Sequence, residues 1–97
     1  MHLDEWDRYR YVEEAFRVLR PGGRCYFDNI NLGGKQGWEI FLQMAQHPPA
    51  LRPPNISKAS TGEELRIYFS KAGFADIQIY PGDHFVAAVG TKPRPSA

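Results

Sequence analysis

Cysteine is nearly missing from this chain. Cys25 is the single one in 97 residues, which excludes an internal disulfide and suits a reducing, cytoplasmic setting. An excess of one charge is missing as well. Twelve Lys and Arg stand against eleven Asp and Glu, a formal net charge of +1. That leaves no basic field for nucleic acid and no acidic tail. No apolar run reaches the roughly 20 residues that a membrane-spanning helix needs. The opening "MHLDEWDRYR" is charged and mixed and does not read as a signal peptide. No histidine or cysteine pair has metal-ligand spacing, and no Ser-His-acid arrangement suggests itself. Cys25 lies in an apolar strand context and reads as a packing residue, not a nucleophile.

What is present fits one small domain over 1–97, since 42% hydrophobic and 24% charged residues are ordinary for a soluble globular chain. Tyr9, Val12, Phe16 and Leu19 recur at helical spacing, which predicts a helix over 4–20. Its first turns carry Asp4, Glu5 and Asp7, and its last carries Arg17 and Arg20, as the helix dipole favours. Pro21 stops it, and Gly22-Gly23 permits a tight corner. "RCYFDNINL" then predicts a strand ending in polar residues. Trp38, Phe41, Leu42 and Ala45 give a second helical stripe over 36–46, with Trp38 expected in the core. "HPPALRPPN", with four prolines in nine residues, fits neither helix nor central strand. Ser60-Thr61-Gly62-Glu63 predicts a capping box for a third helix that Gly73 ends. "ADIQIY" alternates as a half-buried strand. Tyr80-Pro81-Gly82-Asp83 predicts a type II turn. "HFVAAVG" is continuously apolar, so it is expected to be covered on both faces. A turn this short makes the last two strands an antiparallel hairpin.

"EEAFRVLRPGGRCYFDN", then "STGEELRIYFSKAGFADIQIY", then "HFVAAVGTKP" together resemble the C-terminal half of class I S-adenosylmethionine-dependent methyltransferases. The resemblance implies an α/β fold, a partial Rossmann-like sheet with three helices and an antiparallel C-terminal hairpin. Arg24–Ile30 would be the family's fifth strand and Ala75–Tyr80 its sixth. Phe85–Gly90 would be the seventh, inserted antiparallel between them. The family's glycine-rich cofactor loop and ribose-binding acid belong to an N-terminal half with no counterpart here. No G-x-G-x-x-G occurs, because Gly22-Gly23 enters a strand and Gly33-Gly34 leaves one without a third glycine. S-adenosylmethionine is therefore expected in a longer parent enzyme and not bound tightly by this chain. His2-Leu3 resembles the segment after the family's fourth strand, so His2 is the candidate cofactor contact.

Ligands of open α/β sheets sit beyond the carboxyl ends of the strands. The resemblance turns that end of Arg24–Ile30 toward the methyl acceptor. Asp28 is thus the candidate catalytic residue, positioned to accept a hydrogen bond from an amine or hydroxyl or to act as a base. Asn29 and Asn31 are candidate substrate contacts. The alternative is that Asp28 and Asn29 only end the strand and cap the next turn. Trp6 and Trp38 are candidate pocket walls, and His47 and His84 read as loop residues.

The leading expectation is a substrate-side methyltransferase piece, inactive alone, whose parent acts on a small molecule and not on nucleic acid or a membrane. The alternatives are a binding or assembly module that completes another chain's sheet, and a regulatory domain that binds a ligand above Asp28. With no fourth strand beside it, 24–30 should expose an unpaired edge and join a second copy as a homo-oligomer.

Overall fold

The computed structural model describes residues 4–46 and 58–95. In chain order these form α1 (Glu5–Val18), β1 (Arg24–Ile30), α2 (Lys35–Ala45), α3 (Gly62–Ala72), β2 (Ala75–Pro81) and β3 (Phe85–Thr91). Asp4 caps α1, its carboxylate accepting from the Asp7 amide at 3.0 Å. Gly73 ends α3 with φ at 109°, a left-handed angle that a side chain would strain. The α3 cap lies one residue later than the sequence suggested. Thr61 accepts from Glu64 N at 3.1 Å, while Ser60 is buried and lies outside the box.

The strands make one antiparallel sheet in the order β1-β3-β2. Cys25 faces Gly90, Phe27 faces Ala88, and Ile79 faces Ala88 from the other side. β1 and β2 each run antiparallel to β3 and so run parallel to one another. A register shift between Ala75 and Gln78 accompanies Asp76, whose φ is 52°. The hairpin bends later than a Tyr80–Asp83 turn would. Pro81 still pairs with Val86, and the Gly82 amide donates to the Phe85 carbonyl at 2.8 Å.

Helices α1 and α3 cover one face of the sheet. Val12, Leu65, Phe69 and Phe74 pack there on Cys25, Phe27, Val86 and Ala88. Phe74 joins Phe16 edge-on at 5.1 Å to Phe69 at 5.0 Å. The opposite face carries Tyr26, Asp28, Tyr80 and Phe85, all exposed. Coverage of β3 on both faces is therefore corrected. Ala87 is buried on the open face only because it is small and flanked by Asp28 and Tyr80. Alternation alone explains the remaining burial.

The motifs "RVLRPGG" and Lys92-Pro93 meet in space. Lys92 N–H donates to the Gly23 carbonyl, and its carbonyl accepts from the Gly22 amide, extending the β1–β3 ladder. Its ammonium donates to the Leu19 carbonyl at 2.8 Å and lies 4.9 Å from the Phe16 ring centroid. A cation there satisfies the C-terminal end of α1.

Helix α2 is held chiefly at its start. Gly37 is buried, its amide donates to the Asp83 carbonyl at 2.9 Å, and an added Cβ would lie 1.8 Å from the Asn31 carbonyl oxygen. Its apolar stripe stays open. Trp38, expected in the core, is 47% exposed and stacks on Phe41. Gly37→Ala should force the α2 start off the β1 end and lower stability by about 1–3 kcal/mol in a urea titration. An unchanged midpoint would mean that this close approach is not maintained.

Candidate functional site

The carboxyl end of β1 splits its polar residues between the two faces of the sheet. Asp28 projects from the open face, exposed, beside Ala87 of β3. The Tyr26 hydroxyl donates to its Oδ2 at 3.2 Å. Desolvation and the Asp28 carboxylate together push the Tyr26 phenol up. Asp28 thus keeps acceptor capacity toward solvent.

Asn29 and Asn31 bind the protein itself. The Asn29 amide donates to the Lys58 carbonyl at 2.7 Å and to Ser60 Oγ at 2.8 Å, and its Oδ1 accepts from the Ile30 amide. Asn31 is 7% exposed. Its Oδ1 accepts from the Gly33 amide at 3.0 Å, and its Nδ2 donates to the Gly82 carbonyl at 2.7 Å. Its backbone N–H donates to His84 and its carbonyl accepts from the Gly34 amide. This asparagine joins the turn after β1 to the β2–β3 hairpin loop. The local chemistry is that of an Asx turn.

A residue unmarked by the sequence reading organises the neighbourhood. Arg8 is 2% exposed. Its Nη1 donates to Glu64 Oε2 at 2.6 Å, and its Nη2 donates to the carbonyls of Lys58 at 2.8 Å and Ala59 at 3.2 Å. The Tyr68 hydroxyl donates to the same Glu64 oxygen at 2.6 Å. Arg8 Nε has no partner among the described residues. The 58–60 segment so held bridges to β1. Ser60 N–H donates to the Ile30 carbonyl, and Leu32 N–H donates to the Ser60 carbonyl, both at 2.8 Å. A signal was present in the sequence: Arg8 stands four residues before Val12, seven before Ala15 and eleven before Leu19. A charge in the register of a buried stripe needs a partner.

The other candidates scatter. His2 and His47 lie outside the described residues, as does most of the proline-rich connector. His84 is exposed and stacks on Phe85 at 4.2 Å. Trp6 is 76% exposed on α1. Burial pushes the Cys25 thiol up, which suits packing and disfavours a thiolate. Among the described residues no group of three His, Cys, Asp or Glu is arranged to hold a metal, and no helix is long and apolar enough to cross a membrane.

No protein-family profile matches this chain. A curated relative does: an arsenite methyltransferase of Halobacterium salinarum, 29% identical over 77 residues, covering 79% of this chain. That match supports the methyltransferase resemblance read from the sequence. The chain spans 18% of that relative's length. Among solved structures, a possible exported protein from Bordetella parapertussis matches with a TM-score of 0.67 and 17% identity. It covers 94% of this chain and 35% of the other. That likeness shows a shared fold and nothing of function.

Burial, together with the hydrogen bond to Glu64 and its charge, drives the Tyr68 phenol well above its ordinary range. An unfolded chain releases that proton near pH 10 while the folded chain keeps it, so stability falls as pH rises above about 10. Tyr68→Phe should flatten that decline in chemical denaturation series run between neutral and alkaline pH. An identical alkaline slope in variant and wild type would mean that Tyr68 is not held protonated.

Proposed function

We propose that this chain forms the acceptor-side part of a small-molecule methyltransferase dependent on S-adenosylmethionine. In this reading β1, β2 and β3 stand for the family's fifth, sixth and seventh strands in a Rossmann-like sheet. The observation that carries it is the strand order: β3 lies antiparallel between two strands that run parallel to each other. The Halobacterium relative supports it from sequence.

The described residues do not fit the cofactor. Its cradle calls for backbone amides free to approach it at a glycine-rich helix start. Here the Gly22 amide is used by Lys92, Gly33 and Gly34 by Asn31, and Gly37 by Asp83. No transfer step is therefore assigned to this chain, which we take to be inactive alone. Its own contribution is Asp28, which holds a polar group of the acceptor from the open face. Asn29 and Asn31 shape the rim, and their direct contact with acceptor belongs to the same proposal. Titration calorimetry of the chain with S-adenosylmethionine should give no saturable heat at micromolar concentrations. Saturable binding would overturn the assignment. In a longer enzyme that contains this segment, Asp28→Ala should lower turnover about 10²-fold or more with little loss of stability. Equal turnover per folded molecule would return Asp28 to the role of a strand terminator.

The free edge of β1 favours a second reading, in which the chain completes the sheet of another copy or chain. Ladder bonds at Asn31–His84 and Gly23–Lys92 place the odd-numbered amides of β1 toward β3. Those of Arg24, Tyr26 and Asp28 then face outward. The expected edge over 24–30 is shorter than that, because Ile30 is closed by Asn29 and Ser60. Two-fold pairing of β1 with its copy would give a six-stranded sheet. Light scattering over a concentration series should show a dimer that Tyr26→Lys weakens. A monomer at millimolar concentration would contradict both edge pairing and homo-oligomer formation.

A further inference from the structure

The outer side of the α1–α3 seam carries a cleft that the acceptor-side reading does not use. It has a volume of about 420 Å³ and is lined by Glu5, Trp6, Tyr9, Arg10, Glu13 and Tyr68. That volume lies in the usual range for small-molecule sites. Spacing creates it: residues 5, 6, 9, 10 and 13 fall on one side of α1, and Tyr68 meets them from α3. The Tyr9 and Tyr68 rings stand 6.0 Å apart and tilted by 53°, forming a wedge. Tyr68 cannot swing freely, because its hydroxyl is bonded to Glu64, itself held by Arg8.

The chemistry of this lining is one-sided. Three aromatic rings line it, and the face of an aromatic ring is electrostatically negative. Glu5 and Glu13 outnumber the single cation, Arg10, and among the described residues none of the three enters a salt bridge. The charge of Glu5 also reaches the Tyr68 hydroxyl, helping to hold that proton. A carboxylate or phosphate would meet repulsion here. A neutral apolar ligand would leave the two carboxylates unused. We propose that this cleft binds a methylated ammonium cation, with Trp6, Tyr9 and Tyr68 against the methyl groups and Glu5 and Glu13 balancing the charge.

Choline is a suitable probe, and its neutral carbon isostere 3,3-dimethylbutanol is the control. Nitrogen–proton correlation spectra of the 97-residue chain would report binding at α1 and α3. Trp6 emission in a Trp38→Phe background would report it independently. Choline should shift resonances of 5–13 and 68 with a dissociation constant on the order of a millimolar, and the isostere should bind at least about fivefold more weakly. Glu13→Gln should weaken choline about threefold, and Arg10→Gln should strengthen it, with the fold intact by circular dichroism in both. Equal binding of choline and isostere would show an apolar groove without cation preference and overturn the proposal. So would indifference to both charge changes, or no binding of choline at all.

Discussion

One buried guanidinium ties this small fold together. Arg8 leaves water almost completely, a placement that is unfavourable unless its donors are met. Its Nη1 and Nη2 donors are met by Glu64 on α3 and by the carbonyls of Lys58 and Ala59, while Nε stays without a partner among the described residues. Helix α1 is thereby fixed to two neighbouring pieces 50 or more residues away in sequence, α3 and the stretch just before it. That stretch lies along the end of β1, where Asn29 and Ile30 receive it. The shape of the β1 end is thus set from within the helical layer. Removing one partner of such a pair strands the other in the interior, at a cost of about 3–5 kcal/mol. For a chain of this size that is much of the available stability.

The second constraint is one-sided coverage. Helices α1 and α3 close one face of the sheet and leave Tyr26, Tyr80 and Phe85 on the other. The α2 stripe of Trp38, Phe41 and Leu42 is likewise open. Apolar surface in this amount is unusual for a monomeric soluble domain. The same open face carries Asp28. In the acceptor-side reading these facts have one origin: the surface that receives substrate is also the surface that other parts of a methyltransferase would adjoin.

The element order and the antiparallel hairpin were legible in the sequence, since hydrophobic periodicity, Pro21 and Gly73 specify them locally and local signals survive folding. The bounds of β1 followed from the methyltransferase resemblance. Cys25 read as a packing residue from its apolar context, and it is buried. What escaped depends on long-range geometry. Trp38 lies on a good helical stripe, yet among the described residues it stacks only on Phe41 of its own helix and stays half exposed, and a stripe cannot reveal whether a partner exists. Ser60 read as part of a capping box because Ser-Thr-Gly-Glu-Glu satisfies the pattern in either register, from Ser60 to Glu63 or from Thr61 to Glu64. Its tie to β1 decided which. Asn31 read as a ligand-facing residue for its place beyond a strand, and only the folded hairpin shows its amide engaged by Gly82. Arg8 was visible as a misfit on a buried face, but its partners stand 50 or more residues away. Asp28 stands exposed near the carboxyl end of β1.

The central claim, that Arg8 controls the β1 end through the 58–60 segment, is most directly tested by amide hydrogen exchange in Arg8→Met. The long apolar side chain keeps α1 packed while removing every donor. The account predicts that the Ser60 and Leu32 amides, which close the β1 end, lose protection by a far larger factor than Phe27 and Ala88 in the sheet core. A uniform loss across all four, or protection of Ser60 and Leu32 equal to wild type, would contradict it.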